Sequence, residues 1–223
     1  MKIGVIGAGK LASALARRLE LGGHEVMISN SRGVEGVRDI AAALGCQPGS
    51  AEDAARFGDV VVVSVPLKNV EALPIAAIGD KVVIDTCNYY PNREGVLQQF
   101  EDGSETPSGY LQILLARARL VKAFNSILYA HLAQGGAVLA DGSRHALPIA
   151  GNDPAAVELV ADIVHDCGLD PVVAGTLAES WKFERARPVY CRVLNAAQLR
   201  EGLEATSRAD FVPEGSWSIK PAS

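Results

Sequence analysis

The first residues carry the feature that most constrains how this chain can fold. A short apolar run at residues 2–6 leads directly into Gly7, Gly9 and Ala12, and leucines then recur every four positions over residues 11–19. A G-x-G-x-x-A turn between a strand and a helix is typical of dinucleotide sites. The first glycine permits a tight turn, the second lets the backbone approach a pyrophosphate, and the small alanine lets the helix pack on the strand. Glycines also serve ordinary turns, so a purely structural turn stays the alternative.

The rest of the chain alternates short β-rich runs with helical stretches, which is the pattern of a parallel sheet with crossover helices. The predicted strands are residues 2–6, 25–29, 59–65, 81–85, 120–124, 145–151 and 170–175. The predicted helices are residues 11–19, 37–45, 69–77, 110–118, 153–168 and 195–206. We therefore predict an α/β fold, a Rossmann-type doubly wound parallel sheet with a small C-terminal α/β-helical lobe. The predicted boundary separates a dinucleotide-binding domain at 1–125 from the lobe at 126–223.

Composition narrows the possible functions. The 223 residues are 48% hydrophobic and 21% charged with a net charge of −5, which is ordinary for a soluble globular protein and argues against nucleic acid as a partner. The longest apolar run, residues 60–67, is far shorter than the roughly 20 residues that span a bilayer. The chain begins directly with a strand, which leaves no room for a signal peptide. We expect a cytoplasmic protein without a membrane segment.

The histidines and cysteines do not indicate a metal site. The chain has four histidines and four cysteines, and no histidine lies at metal-ligand spacing from another histidine or from a cysteine. No C-x-x-C pair occurs among the cysteines, which are widely scattered. We expect reduced thiols and no bound metal.

The end of the second strand lacks the acidic residue that usually follows such a glycine turn. A carboxylate there accepts hydrogen bonds from the adenosine ribose of NAD, and it would repel a 2′-phosphate. This chain carries Asn30, Ser31 and Arg32 instead. A hydroxyl and a guanidinium are suited to binding a phosphate, so NADP is predicted rather than NAD. The alternative is a solvated turn with a surface arginine.

At this point the sequence resembles a known family. The stretch GVIGAGKLASALARRLELGGHEVMISNSRG is similar to the N-terminus of the NADPH-dependent F420 reductases, the F420:NADP oxidoreductases and their relatives. The likeness continues through VVVSVPLKNV, VVIDTCNYYPNREG, VKAFNSILYAHL and LPIAGNDPAAVELVADIVHDCGLDPVVAGTLAESW, and it covers most of residues 1–181. The resemblance implies a Rossmann fold, NADP(H) as cofactor and hydride transfer to coenzyme F420 or a flavin.

The resemblance also implies where the cofactor lies. The pyrophosphate falls on Ala8, Gly9, Lys10 and Leu11, beside Gly7 of the turn. The 2′-phosphate falls on Ser31 and Arg32, and the inner ribose and nicotinamide fall near Val65, Pro66, Leu67 and Asn88. Ligands of open α/β sheets bind beyond the carboxyl ends of the strands, which agrees with these positions. Proline and asparagine also favour ordinary turns, so Pro66 and Asn88 have that second interpretation.

The acceptor half of the site departs from the deazaflavin enzymes. Asn125 stands where those enzymes tend to carry a histidine, and the segment after Trp181 differs as well. Candidates near the second substrate are Tyr89, Asn125, His131 and Trp181, with Tyr89 and Tyr90 as one possible wall of a flat-ring pocket. Asn125 and His131 are weak catalytic candidates, since a lone histidine on a helix is more often simply packed. An aromatic pair in a loop is often core packing too.

These observations predict an NADPH-dependent oxidoreductase, expected to be a homodimer, that acts on a small-molecule, flat-ring acceptor. An imine or carbonyl reductase on the same scaffold is one alternative, and a non-catalytic NADPH-binding sensor is another. A metalloreductase with its own membrane domain is not expected, because the sequence shows no transmembrane run. Direct hydride transfer is largely the chemistry of the two rings, so the lack of an obvious catalytic triad does not argue against an enzyme.

Overall fold

The computed structural model describes residues 1–217. Its strands are β1 (Lys2–Ile6), β2 (Glu25–Ser29), β3 (Gln47–Gly49), β4 (Val60–Val63), β5 (Val82–Asp85), β6 (Arg119–Lys122), β7 (Ala146–Gly151) and β8 (Asp170–Val173). Its α-helices are α1 (Lys10–Leu21), α2 (Gly33–Leu44), α3 (Ala51–Phe57), α4 (Ile75–Ile78), α5 (Pro91–Glu94), α6 (Gln98–Glu101), α7 (Pro107–Leu114), α8 (Tyr129–Ala133), α9 (Pro154–Asp166) and α10 (Ala196–Ala205). Two 3₁₀ helices span Leu67–Ala72 and Leu177–Phe183.

The eight described strands form one sheet in the order β3-β2-β1-β4-β5-β6-β7-β8. Neighbouring strands run parallel except β6 and β7, which pair antiparallel at Val121–Gly151 and Lys122–Ala150. Because β2 and β4 flank β1, the chain turns in opposite directions on its two sides. This is the doubly wound arrangement that the alternation of strands and helices predicts, and the α/β prediction is confirmed.

The sheet is covered on both faces, which explains its near-continuous apolar strands. In β4, Val60 and Val62 pack into the hydrophobic cluster that contains α1, α2 and α9. Val61 and Val63 point the other way, into the cluster that contains α3, α4 and α7. All four valines are at most 1% exposed. An unbroken run of valines is therefore what a strand buried on both faces requires.

Residues beyond β6 continue the same sheet. β7 and β8 extend it, and α10 packs on them through Leu199 and Leu203 together with Phe183 and Val189. The C-terminal segment, residues 174–217, first returns from the edge strand toward the middle of the sheet, where Cys191 N–H donates to the carbonyl of Ser126 at 3.0 Å. The domain boundary near residue 126 stays a prediction.

One predicted helix differs from the structure, and some short elements were not predicted. The predicted helix over 69–77 is wrong, because the segment divides into the 3₁₀ helix and α4 at Pro74. Proline lacks the N–H that a continuous helix needs, and Leu73 before it is extended at ψ 144°. β3 and α3 were not predicted. The sequence of β3 is only Gln-Pro-Gly, but α3 has a signal in its capping box, in which Ser50 and Asp53 exchange hydrogen bonds.

Candidate functional site

A cavity of about 640 Å³ lies at the carboxyl ends of the central strands. It sits where β1 and β4 are neighbours and the strand order reverses, which is the usual ligand position in open α/β sheets. The lining comprises residues 9–12 after β1, 64–66 after β4, 86–88 after β5, and Asn125 and 127–129 after β6, with Tyr90, Arg93, Glu94, Tyr190, Cys191 and Trp217. Four strand ends and the C-terminal segment therefore meet around one space.

The glycine turn has two different structural requirements. Gly7 has φ +126°, and a Cβ there would lie 2.1 Å from the carbonyl oxygen of Ser64, so only glycine fits between β1 and β4. Gly9 has φ −73°, and a Cβ there would meet nothing within 4 Å. Gly7 is needed by the fold, whereas the open side of Gly9 faces the cavity.

The N-terminus of α1 is ready to bind an anion. Gly9 is its N-cap and makes no side-chain cap, and the first turn holds no acidic residue. The first N–H groups of a helix lack intrahelical partners, and the helix dipole makes this end positive. Lys10 adds an ammonium, which lies 5.2 Å from the ring centroid of Tyr129 on the cavity wall. The residues present thus fit a pyrophosphate.

Ser31 and Arg32 lie outside the cavity lining, in the exposed turn after β2. This turn is beside the glycine turn, because Gly7 N–H donates to the carbonyl of Ser29 at 3.0 Å. Asn30 shapes it: its Oδ1 accepts from Arg32 N–H at 2.9 Å, and its amide donates to the Gly36 carbonyl at 2.8 Å. The Arg32 guanidinium reaches the same carbonyl at 3.4 Å.

The three residues predicted after β4 do not all reach the cavity. Val65 and Pro66 line the cavity, whereas Leu67 is only 3% exposed and packs in the core. Pro66 is the N-cap of the 3₁₀ helix that buries Leu67. Ala8, in the glycine turn, is half-buried and packs against the core beside α1. Gly9, Lys10 and Leu11 line the cavity as the resemblance implies.

Asn88 and Asn125 are joined by a pair of hydrogen bonds. The Asn88 amide donates to the Asn125 carbonyl at 2.8 Å, and the Asn125 amide donates to Asn88 Oδ1 at 3.2 Å. The Asn125 amide also donates to the Phe183 carbonyl at 3.1 Å. Asn125 is preceded by Phe124 with φ 60°, a left-handed conformation that only a well-supported loop holds. The structure therefore brings the two predicted asparagines together at one wall of the cavity.

The other acceptor-side candidates lie elsewhere. Tyr89 turns away from the cavity to donate to the Gly95 carbonyl at 3.0 Å. The ring of His131 packs against His145, with centroids 6.0 Å apart. Trp181 carries the guanidinium groups of Arg187 and Arg208 on its ring. None of these three side chains is part of the cavity lining.

Sequence reasoning missed three cavity residues from the C-terminal segment, Tyr190, Cys191 and Trp217. Tyr190 and Cys191 are consecutive in the chain. Both are buried, and Cys191 has φ 54°, a strained conformation for a residue with a Cβ. Burial raises the pKa of the Cys191 thiol to about 12, so the thiol stays protonated. Tyr190 hydroxyl lies 2.9 Å from the Tyr90 hydroxyl and 3.4 Å from the Asn88 amide. No local sequence motif predicts these residues, because they reach the cavity only through tertiary folding.

A buried ion pair supports the floor of the site. Lys122 and Asp85 are both fully buried, with Nζ 3.5 Å from Oδ2. Lys122 also donates to the Cys87 carbonyl at 3.0 Å and to Ser108 Oγ at 2.8 Å. Asp85 accepts from Cys87 N–H at 2.8 Å and from the Ser108 hydroxyl at 2.6 Å. Both charges therefore fix the backbone just before Asn88.

Glu184 lies near this ion pair, and its environment is unusual. Burial raises the pKa of its carboxyl, against the opposing effects of Lys122 and Arg187. Its Oε1 has no hydrogen-bond partner.

Within residues 1–217, no group of three or more histidine, cysteine, aspartate or glutamate side chains is placed to hold a metal ion. None of the helices in this part of the chain is long and apolar enough to cross a membrane. The four cysteines are free thiols.

Comparison with known proteins finds a family that the N-terminal region resembles. The profile of the family "NADP oxidoreductase coenzyme F420-dependent" matches residues 2–89. The matched region contains the glycine turn, the turn after β2 and the loop through Asn88, so the family resemblance of these motifs is confirmed. Asn125, Tyr190 and Cys191 lie beyond the match to the F420-dependent family.

Relatives cover the chain more broadly. Metalloreductase STEAP3 of Rattus norvegicus is 29% identical over 187 residues, which are 82% of this chain and 36% of that protein. The chain spans less than half the length of the curated relatives it matches. A hypothetical protein from Sinorhizobium meliloti, SMa0349, is 27% identical with a TM-score of 0.75, over 87% of this chain and 95% of that one. A protein from Arthrobacter sp. FB24 described as an F420-dependent NADP reductase shares the fold, at 21% identity and TM-score 0.70 over 82% and 87%.

Proposed function

We propose that this protein is an NADPH-dependent oxidoreductase that transfers hydride between NADP(H) and a flat-ring acceptor such as coenzyme F420 or a flavin. The observation that carries the proposal is one continuous cavity with two different ends. One end has the open Gly9 and the uncapped start of α1, which suit a pyrophosphate. The other end has Asn88 and the aromatic side chains of Tyr90 and Tyr190.

The cofactor would be NADP(H) rather than NAD(H). Ser31 and Arg32 are exposed at the end of β2, with side chains that can close on a 2′-phosphate. The guanidinium of Arg32 is held only by a long 3.4 Å hydrogen bond, so it can turn toward a phosphate at little cost. No acidic residue follows β2 directly to repel that phosphate.

The residues after β4 and β5 would hold the reacting end. Val65 and Pro66 would border the inner ribose and nicotinamide, and Asn88 would offer its polar edge beside them. The nicotinamide supplies or receives the hydride, while the protein orients the two rings and excludes water. The rings of Tyr90 and Tyr190 provide an aromatic wall against which a flat acceptor can pack.

The cavity also suits an imine or carbonyl acceptor, which is the second candidate. The Tyr190 hydroxyl in the wall is the observation that favours it, because reduction of a C=N or C=O group requires a proton donor. A sensor that binds NADPH without turnover is the remaining alternative.

Cofactor specificity tests the first half of the proposal. Isothermal titration with NADPH and NADH is expected to show tighter NADPH binding by roughly ten- to a hundredfold, or about 1.5–3 kcal/mol. Arg32→Ala is expected to remove most of this preference while leaving NADH affinity nearly unchanged. The matched control is Arg38→Ala, because Arg38 is exposed on the adjoining α2 and pairs with Glu35 instead. Equal affinities in the unaltered protein would contradict the proposal.

Turnover tests the second half. The decrease in NADPH absorbance is followed with coenzyme F420, FMN, FAD and a set of cyclic imines and carbonyl compounds. Oxidation by F420 or a flavin supports the flat-ring acceptor, whereas oxidation by imines or carbonyl compounds alone selects the second candidate. NADPH binding without oxidation by any acceptor would support the sensor.

A further inference from the structure

The Tyr190 hydroxyl occupies a position that hydride transfer to a flat-ring acceptor does not by itself explain. It lies in the wall of the cavity that Gly9 of the glycine turn also lines. The side chain comes from the C-terminal segment and is 4% exposed. Its oxygen lies 2.9 Å from Tyr90 Oη and 3.4 Å from Asn88 Nδ2, and it also interacts with the Cys191 thiol.

The hydrogen bonds around this hydroxyl place no strong acceptor on its proton. Asn88 Nδ2 is fixed as a donor, because its other hydrogen bond goes to the Asn125 carbonyl. The amide therefore donates toward Tyr190 Oη and cannot accept from it. When Tyr90 donates as well, the Tyr190 oxygen accepts twice, and its own O–H faces the Cys191 thiol. Sulfur is a weak acceptor, so a substrate nitrogen or oxygen in the cavity can take the place of the thiol. The two donors would then stabilise the oxygen as its proton leaves.

Tyr90 connects this hydroxyl to the open side of the cavity. It is half-buried and follows the Asn88 loop, and its ring is held by two guanidinium groups. Arg93 lies 4.4 Å and Arg185 5.6 Å from the ring centroid. The Tyr90 hydroxyl is thus kept beside Tyr190 in a wall that solvent can reach.

The buried surroundings of Tyr190 favour the protonated phenol when no substrate is bound. Burial, followed by the influence of Cys191 and Tyr90, raises the pKa of the Tyr190 phenol above its ordinary value. Loss of the proton is therefore unfavourable unless Tyr90 supplies another in the same step. A buried phenol linked to a second phenol meets this condition.

We infer that Tyr190 is a catalytic acid, whose hydroxyl gives the acceptor the proton that must accompany hydride, and that Tyr90 passes a replacement proton from solvent. This inference rests on the proposed oxidoreductase function and specifies a further requirement of its acceptor. The acceptor must present a basic nitrogen or oxygen to Tyr190 when its reducible atom faces the nicotinamide.

The chemistry balances with these groups alone. Reduction of a conjugated C=N or C=O system forms one new bond to hydrogen with the hydride and its electron pair from NADPH. The π electrons of the acceptor move to its nitrogen or oxygen, which forms a bond to the Tyr190 proton. The Tyr190 oxygen takes the proton of Tyr90, and Tyr90 takes one from water. NADPH is oxidised and the acceptor is reduced by two electrons.

The test compares the unaltered protein with Tyr190→Phe, using whichever acceptor the unaltered protein reduces. Removing the hydroxyl is expected to lower kcat by about 100-fold, since positioned acids contribute roughly 10²- to 10⁴-fold. Affinities for NADP⁺ by titration, and for the acceptor in the NADP⁺ complex, are expected to change by no more than about threefold. Tyr110→Phe is the matched control, because that phenol hydrogen-bonds Glu71 away from the cavity.

The pH profile separates proton donation from mere positioning. The unaltered protein is expected to hold kcat nearly constant between about pH 6 and 8. In Tyr190→Phe the proton must come from solution, so kcat is expected to rise as pH falls and as the concentration of an acidic buffer increases. Tyr90→Phe should lower kcat less, because water can replace it at the open side.

Each result decides the inference. A kcat for Tyr190→Phe within about threefold of the unaltered value overturns it while leaving the proposed function intact. A loss of kcat without a buffer or pH effect, accompanied by weaker ligand binding, makes Tyr190 a structural residue and overturns it too. Failure of the unaltered protein to oxidise NADPH with every acceptor overturns both the inference and the proposed function.

Discussion

The buried Lys122–Asp85 pair makes a strong prediction about stability. Lys122→Met keeps most of the apolar stem but removes the ammonium, which leaves Asp85 as a fully buried charge without its cation. The two hydrogen bonds to the Cys87 carbonyl and Ser108 Oγ are also lost. Because both side chains are 0% exposed, water does not screen the loss. Breaking one partner of such a pair costs about 3–5 kcal/mol.

The measurement is urea unfolding followed by circular dichroism, with the free energy of unfolding taken from the midpoint and slope. The double variant Asp85→Asn with Lys122→Met supplies the decisive comparison. It removes the orphaned charge, and the asparagine oxygen can still accept from Cys87 N–H. We therefore expect the double variant to be more stable than Lys122→Met alone. A loss below about 1 kcal/mol for the single variant, or no recovery in the double one, would refute the reasoning about the buried charge.

Two further predictions concern the glycine turn and the histidines. Gly9→Val is expected to retain the circular dichroism spectrum and lose NADPH binding, because the valine side chain enters the open space at the start of α1. Gly7→Ala should instead destabilise the fold, because its Cβ clashes with the Ser64 carbonyl. Normal NADPH binding by a folded Gly9→Val variant would make the turn purely structural. Burial lowers the pKa of His24 and His145 below 6.5, so the unfolded chain binds their protons first as pH falls. The free energy of unfolding should therefore decrease as the pH falls below about 6.5, and it should decrease less steeply in His145→Gln. Urea unfolding at several pH values measures this. If the free energy of unfolding of His145→Gln depends on pH as steeply as that of the unaltered protein, His145 does not contribute.

The N-terminal half of the site could be predicted because its chemistry is local in sequence. Gly7, Gly9 and Ala12 follow a strand directly, and strand, turn and helix are consecutive, so spacing alone indicates which groups come together. The turn after β2 lies beside the glycine turn, because β2 follows α1 in the chain and pairs with β1 in parallel. Strand positions were predicted well wherever both faces are buried, because such strands need continuous apolar runs.

The acceptor side could not be predicted in this way. Asn88 and Asn125 are 37 residues apart and bond only because β5 and β6 are neighbours in the sheet. His131 looks like a catalytic candidate in sequence, but α8 turns its ring toward His145. Tyr89 and Tyr90 are consecutive, yet the cavity includes only Tyr90, since successive side chains in an extended segment point in opposite directions.

The sequence by itself determined the doubly wound sheet, the glycine turn and the family resemblance of residues 2–89. These depend on short-range patterns, namely apolar runs, helical periodicity and a fixed turn spacing. The tertiary structure alone decided that Lys122 is paired at the floor of the site and that Tyr190 reaches the cavity wall from the C-terminal segment. The Tyr190 hydroxyl pairs with Tyr90 across 100 residues of chain. Such contacts follow from how the sheet order and the returning segment pack, and no local spacing in the sequence encodes them.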